Sequence, residues 1–144
     1  MTKSETAKKL FESGYNCSQS VFLAFLDEMK IDKETAIRIM AGFGGGFGRM
    51  REVCGAVSGM VAVISYFNAC SDPNNHDKKK ELYSKIQSAM AEFKSINGSY
   101  ICKELLGISA DSSPVPEHRT ESYYHKRPCG ELCAVAASIA EKYL

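Results

Sequence analysis

Apolar residues recur along most of the chain at the three- and four-residue spacing of helices that bury one face. Ser4 is placed to cap a first helix that Gly14 ends, with Ala7, Leu10 and Phe11 inward. Asn16, with Gln19 three residues later, makes a capping-box pattern at the start of the next helix. From Cys17 to Met29 that helix is apolar on most sides, as a central helix would be. Asp32 caps a third, short helix carrying Ala36, Ile37, Ile39 and Met40. A second central helix is predicted from Glu52 to Cys70, followed by a turn over 71–76. Asp77 to Asn97 is a long amphipathic helix with Leu82, Ile86, Ala89, Phe93 and Ile96 on its buried stripe, and Gly98 stops it. Ser99 caps a short helix running through Leu106. Gly107 to Pro128 has no helical period and should form an irregular arm over the surface. The last helix covers 128–143, with Leu132, Val135, Ala136, Ile139 and Tyr143 inward. No alternating β pattern and no internal repeat interrupts this series. The fold expected is all-α, a single-domain bundle of about six or seven helices, spanning 1–144.

One stretch does not fit any helix. Five of the eleven glycines lie between Gly42 and Gly48, and Gly55 and Gly59 follow Cys54. Glycine loses more backbone freedom on ordering than any other residue, so this run is a loop placed before a central helix. Phe43, Phe47, Arg49 and Arg51 separate it from a Gly/Ser linker and suggest backbone brought close to something. It lacks the Gly-Lys-Ser/Thr ending of a nucleotide-binding P-loop and follows a helical segment, which removes the phosphate-cradle readings. Gly55, Gly59 and Ala62 share one helix face, where they would admit either a neighbouring helix or a ligand; helix packing is the simpler of the two.

Composition narrows the function classes. A formal net charge of +1 gives no electrostatic case for nucleic acid or an anionic membrane. The N-terminus lacks the apolar core of a secretory signal, so a cytoplasmic protein is expected. The longest uncharged stretch, Val53 to Ser71, is rich in Gly, Ala and Ser and reads as a buried helix, not a membrane span. Six cysteines without an export signal favour metal binding or thiol redox chemistry over a disulfide framework.

Their placement sharpens this. Cys17, Cys54, Cys102 and Cys129 each fall in the first turn of a predicted helix. Unpaired backbone N–H groups and the positive end of the helix dipole there favour a thiolate, which is both nucleophile and metal ligand. Cys54, which the glycine loop would leave accessible, is the favoured member of a pair in which one thiol attacks and a neighbour resolves. Cys70 should be structural, near a helix C-terminus, and Cys133 reads as a small core residue one turn beyond Cys129. His125, four residues before Cys129, is a candidate ligand or base; His76 and His118 should be solvent-exposed. The motifs for covalent haem attachment, serine hydrolases and zinc proteases are absent.

The segments Gly14-Tyr-Asn-Cys17-Ser-Gln-Ser-Val, the glycine loop, Cys54-Gly-Ala-Val-Ser-Gly59, Cys102-Lys-Glu-Leu and Cys129-Gly-Glu-Leu together resemble the C-GCAxxG-C-C family. The resemblance spans nearly the whole chain. The central motif departs from the family label, which sets glycine before the cysteine where this chain has Cys54 before Gly55. The resemblance implies redox activity, inferred for that family from its cysteines. A similar cysteine set in split-Soret cytochromes looks like an iron–sulfur site. The resulting expectation is that Cys17, Cys54, Cys102 and Cys129 converge near the loop. They would either cycle between thiol and disulfide or hold a [2Fe–2S] cluster. Gly44, Gly45, Gly46, Arg49, Gly55 and Gly59 are the residues expected around a cofactor. A structural Zn²⁺ site, or a partner-binding helical module such as a homodimer without redox activity, is the alternative. A redox partner is implied but not named by these residues.

Overall fold

The computed structural model describes residues 1–107 and 113–144. Eight right-handed helices follow one another among them: α1 (Lys3–Glu12), α2 (Cys17–Leu23), α3 (Lys33–Met40), α4 (Gly55–Asn68), α5 (His76–Asn97), α6 (Cys102–Leu106), α7 (Glu121–Lys126) and α8 (Cys129–Glu141). The only β feature of the described residues is a single antiparallel bridge between Val53 and Ile101. The all-α expectation holds, with more helices than the pattern suggested.

Local chemistry explains where several helices begin. The Asn16 side chain accepts from Gln19 N–H, and Gln19 Oε1 accepts from Asn16 N–H, closing the predicted capping box. Asp32 caps α3 through Thr35 N–H. Thr2, not Ser4, caps α1, in a capping box with Glu5. The expected helix over 17–29 is instead α2 followed by a 3-10 turn at Leu26–Glu28. The chain leaves helical geometry at Phe25 (φ −107°, ψ 6°). There Lys3 Nζ donates to Ala24 O at 3.1 Å, satisfying a carbonyl at the end of α2 with a cation suited to that end of the dipole. The predicted arm contains α7, capped by Thr120, which its few apolar residues did not reveal; residues 108–112 of that arm lie outside the described residues.

The core forms where α1 packs on α8, α2 on α4, and α4 on α8. Phe11, Val21, Phe25, Val57, Met60, Ile64, Phe93 and Ile139 are fully buried there. Ile96, expected on the buried stripe, is exposed, as is Ile39 on α3. The contact between α2 and α4 is unusually close because of two glycines. A Cβ on Gly59 would lie 2.8 Å from Ser18 O and 2.9 Å from Val21 Cβ, and one on Gly55 would lie 3.1 Å from Cys17 Cβ. The small-residue face of α4 is therefore a packing face, and it brings the starts of α2 and α4 together. No described helix is long and apolar enough to cross a membrane.

Candidate functional site

The four motif cysteines occupy equivalent local positions: Cys17, Cys102 and Cys129 are the first residues of α2, α6 and α8, and Cys54 is the N-cap of α4. All four line one cavity of about 340 Å³. Residues Gly44, Gly45, Arg49 and Gly55 also line it. Gly46 and Gly59 serve packing instead. A Cβ on Gly46 would meet Glu52 N at 2.7 Å and Cys102 Cβ at 2.8 Å.

The glycine loop reaches this position through an unusual backbone. Gly45, Gly46, Phe47, Gly48 and Arg49 are consecutive left-handed residues (φ 59° to 74°), and Arg51 returns to that region at φ 61°. For the three residues with side chains this costs about 1–2 kcal/mol each. The loop is closed by Gly48 N–H to Gly42 O at 2.9 Å, Arg51 N–H to Gly45 O at 3.1 Å and Glu52 N–H to Gly46 O at 3.1 Å. Cys102 N–H then donates to Glu52 O at 2.6 Å, and Cys54 N–H to Tyr100 O at 2.8 Å. These bonds fix the starts of α4 and α6 against the loop.

Four arginines far apart in the sequence or lying in the arm line the same space: Arg49, Arg51, Arg119 and Arg127. Arg49 donates to the carbonyls of Ser113 and Val115, holding the arm over the loop. Arg119 donates to Phe11 O at 2.9 Å and Tyr15 O at 3.1 Å and stacks on the Phe11 ring. Arg127 pairs with Glu117 at 2.8 Å. Arg51 is buried, with Nη1 3.7 Å from Cys102 Sγ.

The thiols do not behave as helix-start geometry alone suggests. Burial pushes Cys54 up to about 12, although the backbone N–H groups of Ala56 and Val57 pull toward the thiolate. Burial likewise raises Cys102, against the lowering effect of the Arg51 guanidinium beside it. Cys129 is raised by its neighbour Cys17 and by burial, against Arg127 and Arg119. At Cys17 the largest influence, Cys129, favours the thiolate, but Cys133 and burial outweigh it and hold the thiol well above its ordinary range. Burial is the leading cause at Cys54 and Cys102, and neighbouring thiols together with burial raise Cys17 and Cys129. Cys54 is also only 4% exposed, so the access expected of it is not found; Cys129, half-buried, is the more open of the four.

A prediction follows from the sign of these shifts. Below pH 9.0 the Cys54 proton is held in both folded and unfolded chains, and as pH rises toward about 12 only the folded chain keeps it. Stability in the reduced protein should therefore fall through that alkaline window, by about 1.4 kcal/mol per pH unit for each thiol so raised. Urea melts at successive pH values, compared between wild type and Cys54→Ala, should show a shallower alkaline loss in the variant.

The remaining candidates separate clearly. Cys133 is fully buried yet stands against Cys17, its Sγ 3.8 Å from Cys17 O, so it is a core residue that is also a fifth thiol of the cluster. Cys70 is exposed after α4 and is not a core residue; its Sγ lies 3.7 Å from Asn75 Nδ2. His125 is exposed beside Glu12, Glu121 and Tyr124, in a hollow separate from the thiol cavity. Among the described residues no group of three or more His, Cys, Asp or Glu is arranged to hold a metal ion. The four motif thiols line a common wall without forming a ready ligand set.

The model of the family described as "Putative redox-active protein (C_GCAxxG_C_C)" matches residues 15–143. The chain belongs to this family. The match covers every cysteine and the whole left-handed loop, so family membership and the thiol cavity concern the same residues. The chain is also 26% identical to an uncharacterized protein of Archaeoglobus fulgidus, over 96% of this chain and 93% of that one. No solved structure matches.

Proposed function

We propose that this chain is a dithiol redox protein in which Cys17 and Cys129 pass between two thiols and a disulfide. The observation that supports this reading is one of placement: Cys17 and Cys129, the first residues of α2 and α8, line one cavity, and each thiol acts on the proton affinity of the other. The exchange runs with a low-molecular-weight or protein disulfide as co-reactant. Cys129, as thiolate, attacks one sulfur; the co-reactant S–S bond breaks and one thiol leaves, carrying a proton. The Cys17 sulfur then attacks Cys129 Sγ, breaks the mixed disulfide and releases the second thiol with the second proton. The co-reactant gains two electrons and two protons, and the chain gains one S–S bond. Arg119 and Arg127 assist by favouring the Cys129 thiolate. Cys54 and Cys102 complete the wall, and Cys102 is held beside Arg51.

An iron–sulfur cluster or zinc ion would have to draw on the same four cysteines. Since they are not arranged as a ligand set, no step is derived through either group. The test is a thiol titration of anaerobically purified protein after equilibration in graded glutathione buffers. Two of the six thiols should be lost together in one two-electron transition. Stoichiometric iron and sulfide in the purified protein, or no thiol loss across the range, would contradict the dithiol reading.

A further inference from the structure

The cavity holds more positive charge than thiol exchange requires. Arg51 is 5% exposed, yet among the described residues its Nε has no hydrogen-bond partner and its only side-chain hydrogen-bond contact is the Cys102 sulfur. No carboxylate of the described residues lies within 4.0 Å of it. A buried guanidinium with an unused donor is costly unless something accepts from it. Arg49 and Arg119 line the same cavity and direct donors to main-chain carbonyls, which are neutral, and among the described residues neither forms an ion pair, while Glu117 on the same wall pairs with Arg127. The Tyr123 phenol on the same wall is pushed up to about 12 by burial, so it keeps its proton and can donate.

We infer that the cavity binds a small ligand bearing an oxyanion, whose oxygens accept from the cavity-facing part of the Arg51 guanidinium and its neighbouring cations. The planar fork of arginine matches carboxylate, phosphate or sulfate oxygens two at a time. Combined with the dithiol reading, on which this last step rests, the preferred co-reactant is an anionic low-molecular-weight disulfide, seated by its acidic group beside Cys102 and Cys129.

The binding arm of the test uses fully reduced protein, so it does not depend on disulfide chemistry. Thermal unfolding is followed as low-millimolar sulfate replaces chloride at constant ionic strength. Wild type should show a saturable rise in Tm. Half-saturation should weaken by at least about tenfold in Arg51→Met. Arg51→Lys, which keeps charge and length without the fork, should weaken it in the same direction if the methionine variant does not fold. Arg38→Met, on the exposed face of α3, should leave it unchanged. Absence of a saturable sulfate effect in wild type, or its survival in the Arg51 variants, overturns the proposal. The reactivity arm compares dianionic dithiobis(nitrobenzoate), neutral dithiodipyridine and cationic cystamine. A preference for the dianion should disappear in the Arg51 variant. Sulfate binding without thiol exchange would remove the dithiol reading alone; exchange without charge preference would remove this one alone.

Discussion

Replacing Cys129 with serine should abolish the two-electron redox step while leaving the fold intact. Serine is nearly isosteric, and Cys129 is half-buried at the first residue of α8, so little packing is lost. The variant should lose the cooperative disappearance of two thiols in glutathione buffer. Cys70→Ser, at an exposed position outside the cavity, should keep it. Cys17→Ser should abolish the same step, since the Cys129 thiol is then left without a resolving partner and holds the co-reactant as a mixed disulfide. Intact mass of the oxidised variant would show that adduct. Loss of two thiols together in either single variant would mean that Cys17 and Cys129 are not paired as described.

Gly46→Ala should be the most damaging single substitution in the loop. Its φ of 74° is strained for any L side chain, and the added Cβ would meet Glu52 N at 2.7 Å and Cys102 Cβ at 2.8 Å. Neither neighbour can easily give way, since one is backbone and the other begins α6. Left-handed strain and overpacking together should cost about 3–5 kcal/mol. The expected result in urea is a lower midpoint with little change in slope. Gly48→Ala, with similar φ but open space around its Cβ, should cost only the strain, about 1–2 kcal/mol. If the two variants were equally stable, the approach of α6 to the loop would not be the constraint described here.

The difference between these glycines shows what was readable from the sequence. Capping at Asn16 and Asp32 was legible because it is settled within four residues of chain. The four helix-start cysteines were legible for the same reason. The left-handed run was not, because Phe47, Arg49 and Arg51 carry no local preference for positive φ; tertiary bonds to Glu52 and Cys102 impose it. Helix dipoles alone did not give the direction in which the thiols shift, since burial of Cys54 and the crowding of Cys17 by other thiols arise only when the helices meet. Arg51 lay in plain view in the loop, but only the folded chain shows its guanidinium buried with an unpartnered Nε. Arg119 and Arg127 fall in the arm, where no period marked which residues would face the cavity.

The central claim is that Cys17 and Cys129 form the redox pair. The most direct measurement is differential alkylation and peptide mapping of protein equilibrated at its midpoint potential under anaerobic conditions. The account predicts one dominant cross-linked species, joining the peptides that carry Cys17 and Cys129, in proportion to the thiols lost. A dominant bridge between any other pair, or two free alkylated peptides at Cys17 and Cys129 after the transition, would contradict it.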